Sequence, residues 1–266
     1  MALPINFIKM HGLGNDFVVI DSRKENLQDI NLKDLAINIC DRHFGVGADG
    51  LLIVYPSKKA HYRMQIFNPD GSEPEMCGNG IRCFAKYVYE TDKLTEEVIS
   101  VETLAGIILP AVILDKEKNV LGVEVDMGIP KDEGDVALAG FNFKKISMGN
   151  PHAVAIVNDF SKINLFEIGT KIENDKHFPN RTNVEFVKVI NDKELEVLVW
   201  ERGAGETLAC GTGACASMKT ASLFNKIGRR ALIHLPGGNL DIELNEDDHI
   251  LMRGPAATIF EGKYYL

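Results

Sequence analysis

Met76-Cys77-Gly78-Asn79-Gly80-Ile81-Arg82-Cys83 and Ala209-Cys210-Gly211-Thr212-Gly213-Ala214-Cys215 are two versions of one phrase: a cysteine, then Gly-x-Gly, then residues at helical spacing. Cys77 and Cys210 stand 133 positions apart, half of the 266-residue chain. At that same offset Phe67 falls on Trp200, Asn68 on Glu201 and Glu73 on Glu206. Further upstream Asp41-Arg42-His43-Phe44 matches Asp175-Lys176-His177-Phe178 at an offset of 134, and Gly14-Asn15 matches Gly149-Asn150 at 135. Anchors in one order with so little drift predict two copies of one folding unit.

Outward from the phrase, the pattern is sheet-rich. Ile5 to Met10 and Val18 to Asp21 read as strands around the polar turn His11 to Asp16. Asn31 can cap a helix whose apolar positions Leu32, Leu35, Ala36 and Ile39 share one face. Strands are expected at Leu51 to Val54, Arg63 to Phe67, Val98 to Thr103, Ile107 to Leu114 and Val120 to Met127. Between them the helix after Cys77 carries Ile81, Phe84, Ala85 and Val88. The second half offers a turn at Gly149 to His152, a strand Ala153 to Val157, a short helix near Ile163 to Thr170, and strands Val184 to Ile190 and Leu195 to Trp200. The helix opened by Cys210 is expected to end at Gly228, followed by strands Ala231 to Leu235, Leu240 to Leu244, Ile250 to Arg253 and Ala257 to Phe260. An apolar helix must be covered. The expected fold class is therefore α/β (α+β): two similar duplicated domains, each a curved, mostly antiparallel sheet wrapped around a central helix. The boundary falls near Gly122 to Pro130, giving halves 1–123, completed by the last strand 256–266, and 124–255.

Composition narrows the function. Hydrophobic content of 45% and charged content of 25% are those of a globular protein. No stretch approaches the ~20 apolar residues of a membrane span. Met1 to Met10 holds Pro4 and Asn6 where a signal peptide needs a continuous apolar core, so a cytoplasmic protein is expected. A net charge of −9 lacks the basic footprint of a nucleic-acid binder, which points to a small-molecule partner. Five cysteines without an export signal do not form a disulfide framework, and neither Cys-x-x-Cys nor a His-rich tract offers zinc ligands. Cys40, Cys83 and Cys215 fit as buried filler within helical runs.

Cys77 and Cys210 call for another account. A cysteine at the first turn of a helix lies near unpaired backbone N–H groups and the positive end of the dipole, which favours thiolate. The glycines Gly78, Gly80, Gly211 and Gly213 leave room for a carboxylate at each helix end. Two such ends suit inversion of a stereocentre: one cysteine removes the α-proton as thiolate, and the other delivers a proton from the opposite face as thiol. Helix-end N–H groups would stabilise the charge that develops on the substrate carboxylate. Gly45, Gly47 and Gly50 serve equally well as turn residues.

Together with Lys9-Met10-His11-Gly12-Leu13-Gly14-Asn15-Asp16-Phe17, Gly149-Asn150-Pro151-His152 and Trp200-Glu201-Arg202-Gly203, the two cysteine phrases resemble the diaminopimelate epimerase family along almost the whole chain. The resemblance implies a homodimeric isomerase that interconverts LL- and meso-diaminopimelate for lysine and peptidoglycan synthesis, with no pyridoxal phosphate and no metal. It implies Cys77 and Cys210 as the acid/base pair, His152 and Glu201 as their support, and Gly78, Asn79, Gly211 and Thr212 as the carboxylate site. Asn15, Asn68, Asn150, Asn183, Glu201 and Arg202 are implied to hold the rest of the substrate: amides serve either charged end, and Arg202 forks onto a carboxylate. Other roles stay open: His152 as a turn cap, the asparagines as turn residues, Glu201-Arg202 as an exposed ion pair, and Glu73 and Glu206 at the helix starts. Gly50 departs from relatives that carry a substrate-contacting glutamine there. Rival readings are a proline racemase or hydroxyproline epimerase, whose ligand has no distal amino-acid group, a thiol redox protein cycling a Cys77–Cys210 disulfide, and a binding module without activity.

Overall fold

The computed structural model describes residues 4–266, so the first three residues of the Met1 to Met10 segment lie outside it. The chain divides into two compact units, Met1–Val125 with Gly254–Leu266, and Asp126–Arg253.

In the first unit the elements are β1 (Ile5–Gly12), β2 (Asn15–Asp21), α1 (Leu32–Cys40), β3 (Gly50–Pro56), β4 (Tyr62–Phe67), α2 (Gly78–Asp92), β5 (Val101–Thr103), β6 (Gly106–Ile108), β7 (Ala111–Leu114), β8 (Val120–Asp126) and the returning β18 (Ala257–Tyr264). Seven of these strands form a sheet in the order β18-β1-β2-β3-β4-β5-β6, parallel at β2/β3 and β4/β5 and antiparallel at its other pairs. Helices cover both faces. Val18, Ile20, Leu51 and Ile53 pack with Leu35 and Ile39 of α1. Leu52 and Ile66, whose side chains point the other way, reach α2 at Gly80. A strand buried on both faces has no polar side, which is why Val18 to Ile20 and Leu51 to Val54 are continuous apolar runs. The α2 residues Ile81, Phe84, Ala85 and Val88 are fully buried, and Asn31 caps α1 by accepting from Lys33 N at 3.1 Å.

The second unit runs β9 (Lys131–Leu138), β10 (Phe141–Ser147), β11 (Pro151–Val157), α3 (Leu165–Glu173), β12 (Asn183–Asn191), β13 (Glu194–Glu201), β14 (Gly205–Glu206), α4 (Gly211–Leu223), β15 (Arg230–Leu235), β16 (Gly238–Leu244) and β17 (Ile250–Gly254). Its strands are ordered β17-β16-β15-β13-β12-β11-β10-β9, with β14 on β13, and are parallel at β11/β12 and β13/β15. The succession antiparallel, parallel, antiparallel, parallel, antiparallel from β1 to β6 recurs along β10, β11, β12, β13, β15 and β16. In both units a helix joins the first parallel pair, and the cysteine-led helix joins the second. The duplication is thus a duplication of topology.

Among the described residues each unit holds the two helices expected of it, one on each face of its sheet. Three local expectations need correction. The strand expected over Ile107 to Leu114 is two strands: Pro110 has no N–H to donate, and the chain breaks there. No strand is expected from the sequence between Met127 and Ala153, where the hairpin β9/β10 lies; β9 is a sheet-edge strand with five of its eight residues exposed, so it carries little apolar signal. α4 ends at Leu223, short of Gly228, where Asn225 takes the left-handed conformation at φ 53°. Among the described residues no helix is long and apolar enough to cross a membrane.

Candidate active site

In the first unit, β4 delivers the chain through a turn to α2, and Cys77 is the N-cap residue of that helix. Its Sγ lies 3.8 Å from Asn15 Oδ1 at the start of β2. The same oxygen accepts from Asn79 Nδ2 at 3.1 Å, while Asn15 Nδ2 donates to Asp49 Oδ2 at 2.8 Å. Behind them stands Arg82, fully buried on α2: its Nη1 donates to Gly78 O at 3.1 Å, Nη2 to Asn79 Oδ1 at 2.8 Å and Nε to Pro255 O at 3.3 Å. A guanidinium donates only, so it fixes Asn79 with its oxygen inward and its amino group toward Asn15. Asn68 stands apart from this chain of amides, donating from Nδ2 to Ser72 Oγ at 2.9 Å within its own turn.

Asp16, next to Asn15, pairs with buried Lys9 at 2.5 Å and with Arg42 at 2.9 Å. Burial pushes its carboxyl up, but the hydrogen bonds from Arg42 and Lys9 and the charge of Lys9 win, holding it at about 2 against a usual 3.8. A carboxyl depressed by folding adds stability above its unfolded pKa and loses it as the pH falls through the folded one. Stability measured by urea unfolding should therefore fall as the pH drops from about 4 to about 2, and Asp16→Asn should flatten that limb while lowering stability at neutral pH. An unaltered acid limb in the variant would count against the ion pair.

In the second unit Cys210 is the N-cap of α4 and accepts from Gly213 N at 3.3 Å, with Thr212 Oγ1 at 3.5 Å. The pull of the helix end toward thiolate is outweighed here. Burial first, then a charge on Glu201, pushes this thiol well above its ordinary value, and the hydrogen bonds from Thr212 and Gly213 do not offset them. Cys210 rests as a thiol. Glu201, at the end of β13, accepts from Thr207 Oγ1 at 2.5 Å and is hydrogen-bonded to Cys210; burial raises its own carboxyl despite these bonds. It forms no ion pair with Arg202, whose exposed guanidinium donates to Asn180 O at 3.0 Å.

His152 is not a turn cap: it lies on β11, fully buried, with Nδ1 2.7 Å from Glu185 Oε1 and Nε2 3.1 Å from Asn150 Oδ1. Asn150 Nδ2 donates to Thr212 Oγ1 at 3.3 Å, tying this turn to the start of α4. Asn183 is a brace, donating to Pro151 O at 2.9 Å and accepting from Arg202 N at 2.9 Å. The Arg202 turn is held from below by Glu173, which accepts from Trp200 Nε1 at 2.7 Å and Gly203 N at 2.9 Å. Glu73 and Glu206 are both exposed. A Cβ on Gly213 would lie 2.6 Å from Glu185 Oε1 and 3.3 Å from Cys210 Sγ, so this glycine makes room for a carboxyl of the protein itself.

Sequence reasoning passed over Arg82, Asp49, Glu173 and Glu185. For Arg82 and Glu185 a signal existed: each is one charged residue inside an otherwise apolar run, a placement that requires partners. Asp49 and Glu173 lie in ordinary polar surroundings and gave none.

The solved structures that this fold resembles carry more than one name. A PhzF-family phenazine biosynthesis protein of Bacillus anthracis superposes with a TM-score of 0.77 at 16% identity, over 100% of both chains. A probable proline racemase of Agrobacterium radiobacter K84 gives 0.75 at 14% identity, covering 98% of this chain and 93% of that one. The class is thus the two-unit α/β fold that these proteins share, here with a cysteine capping a buried helix in each unit. A family model described as diaminopimelate epimerase matches residues 7–132 and 145–259, and a diaminopimelate epimerase of Moorella thermoacetica is 48% identical over 280 residues, 98% of this chain and 100% of that protein. The chain belongs to the diaminopimelate epimerase family.

Proposed function

We propose that this protein is an isomerase that epimerises LL-2,6-diaminopimelate to the meso isomer for lysine biosynthesis, without pyridoxal phosphate, using Cys77 and Cys210 as a two-base pair. One observation carries the reading: in each of two duplicated units a cysteine caps a buried helix, in a chain 48% identical along its length to a diaminopimelate epimerase. A thiolate takes the α-proton and a thiol returns one from the opposite face; in the reverse direction the roles exchange. The burial and acidic surroundings of Cys210 support the thiol role for it in the resting protein. Gly78, Asn79, Gly211 and Thr212 bind the reacting carboxylate at the helix starts, where developing negative charge meets backbone N–H groups. Asn15, Asn68, Asn150, Asn183, Glu201 and Arg202 hold the remaining ammonium and carboxylate groups, and His152 and Glu201 support the thiols. The protein works as a cytoplasmic homodimer.

Proton exchange tests this reading. LL-diaminopimelate is added in heavy water to protein free of pyridoxal phosphate, and the α-protons are followed by NMR. The expected result is meso product with deuterium at the inverted centre alone. Exchange with proline or hydroxyproline, and none with diaminopimelate, would assign the activity to the racemases instead.

A further inference from the structure

The parallel register of β11 on β12 sets His152 opposite Asn183, one pleat from Glu185, and the two side chains meet at 2.7 Å with neither accessible to solvent. Asn150 decides which ring nitrogen carries the proton. Its Nδ2 donates to Thr212, which leaves Oδ1 facing His152 Nε2 at 3.1 Å. With the amide placed this way its oxygen only accepts, so Nε2 carries the N–H. Nδ1 then has two choices against Glu185: to be protonated beside a carboxylate, or to accept from a carboxylic acid.

The surroundings of Glu185 favour the acid. Among the described residues its Oε2 is a buried side-chain oxygen with no hydrogen-bond partner. A carboxylate shares its charge between both oxygens, so ionisation would leave half the charge without a donor in a dry site; a neutral carboxyl leaves only a carbonyl lone pair unmet. Glu201 on β13 and Cys210 at the start of α4 are titratable groups near it, and a charge on Glu185 would oppose charge on either. Burial raises the Glu185 carboxyl, and His152 opposes the rise.

We propose that Glu185 is a positioning residue that is protonated at neutral pH and, by donating from Oε1 to His152 Nδ1, fixes that ring in its uncharged Nε2–H form. The inference deepens the proposed function and rests on its reading of His152 and Cys210. It gives Gly213 a reason as well, since any larger residue there would displace the carboxyl. A neutral His152–Glu185 pair leaves Glu201 as the acidic group that can place charge beside the thiol.

The test reads the ring directly. In the intact protein labelled with ¹⁵N-histidine, His152 is assigned with a His152→Gln variant. Its Nδ1 resonance is expected in the unprotonated range and Nε2 in the protonated range, unchanged across neutral pH. Nδ1 in the protonated range would mean an ion pair and overturn the proposal. Gln at 185 keeps a donor, whereas Met does not: Glu185→Gln should hold kcat within about threefold with the same ring shifts, and Glu185→Met should lose at least about tenfold. If Gln is as damaging as Met, the carboxyl proton itself is needed and the positioning role is wrong. The wild-type shifts decide the protonation even if a variant fails to fold. They also stand apart from whether Cys210 takes part in turnover, which its own serine variant answers.

Discussion

Cys77→Ser and Cys210→Ser should each lower turnover of LL-diaminopimelate by about 10²- to 10⁴-fold while leaving the fold intact, the range associated with removing a positioned acid or base. Serine keeps the size and the helix-cap position but not the chemistry: its hydroxyl holds its proton far more tightly than a thiol. The two losses differ in origin. Cys210 is buried beside Glu201 and Glu185 and rests as thiol, so in the proposed two-base reaction its variant removes a proton donor. Cys77, half-buried against the Asn15 amide, sits on the side built around the Arg82 guanidinium. KM should move little in either variant, because neither thiol carries the substrate's binding groups; a change confined to KM would assign the residue to binding. Wild-type turnover in either variant, with near-UV circular dichroism unchanged, would remove that cysteine from the mechanism.

The second large effect is on stability. Arg82→Met should destabilise the protein by about 3 kcal/mol or more, since it removes the buried guanidinium that donates to Gly78 O, Asn79 Oδ1 and Pro255 O. Arg82→Lys should recover little: one ammonium on a flexible stem does not reproduce a planar fork that reaches the α2 backbone, a side-chain amide and Pro255 O together. The measurement is the urea midpoint, read with the ¹⁵N resonance of the Asn79 amide, which should broaden once the guanidinium no longer fixes its orientation. A stability change below about 1 kcal/mol in the Met variant would mean that the network relaxes around the gap.

The parts of this protein legible in its sequence follow from its periodicity. The cysteine-led helices, the capped helix after Asn31 and most strands were readable because each depends on residues close together in the chain, and the repeat because one local pattern occurs twice. The β9/β10 hairpin was hidden by exposure: an edge strand such as Lys131–Leu138 needs no apolar face. The early stop of α4 at Leu223 was hidden for a different reason, since Gly228 is a plausible terminator and the choice of Asn225 is made by packing.

The sequence by itself determined the α/β class and the two cysteines at helix starts, because hydrophobic spacing and Gly-x-Gly phrases are local. Tertiary structure decided what surrounds those cysteines. The same N-cap position that favours a thiolate in isolation holds Cys210 as a thiol, because burial removes the water that would stabilise a charge and β13 brings Glu201 beside it. Likewise Glu185 gained its role from a partner distant in sequence, His152, and Arg82 adds to its local bonds one to the distant Pro255 O. Charge in a dry site is set by what folding brings near, and that is information no single stretch of the chain contains.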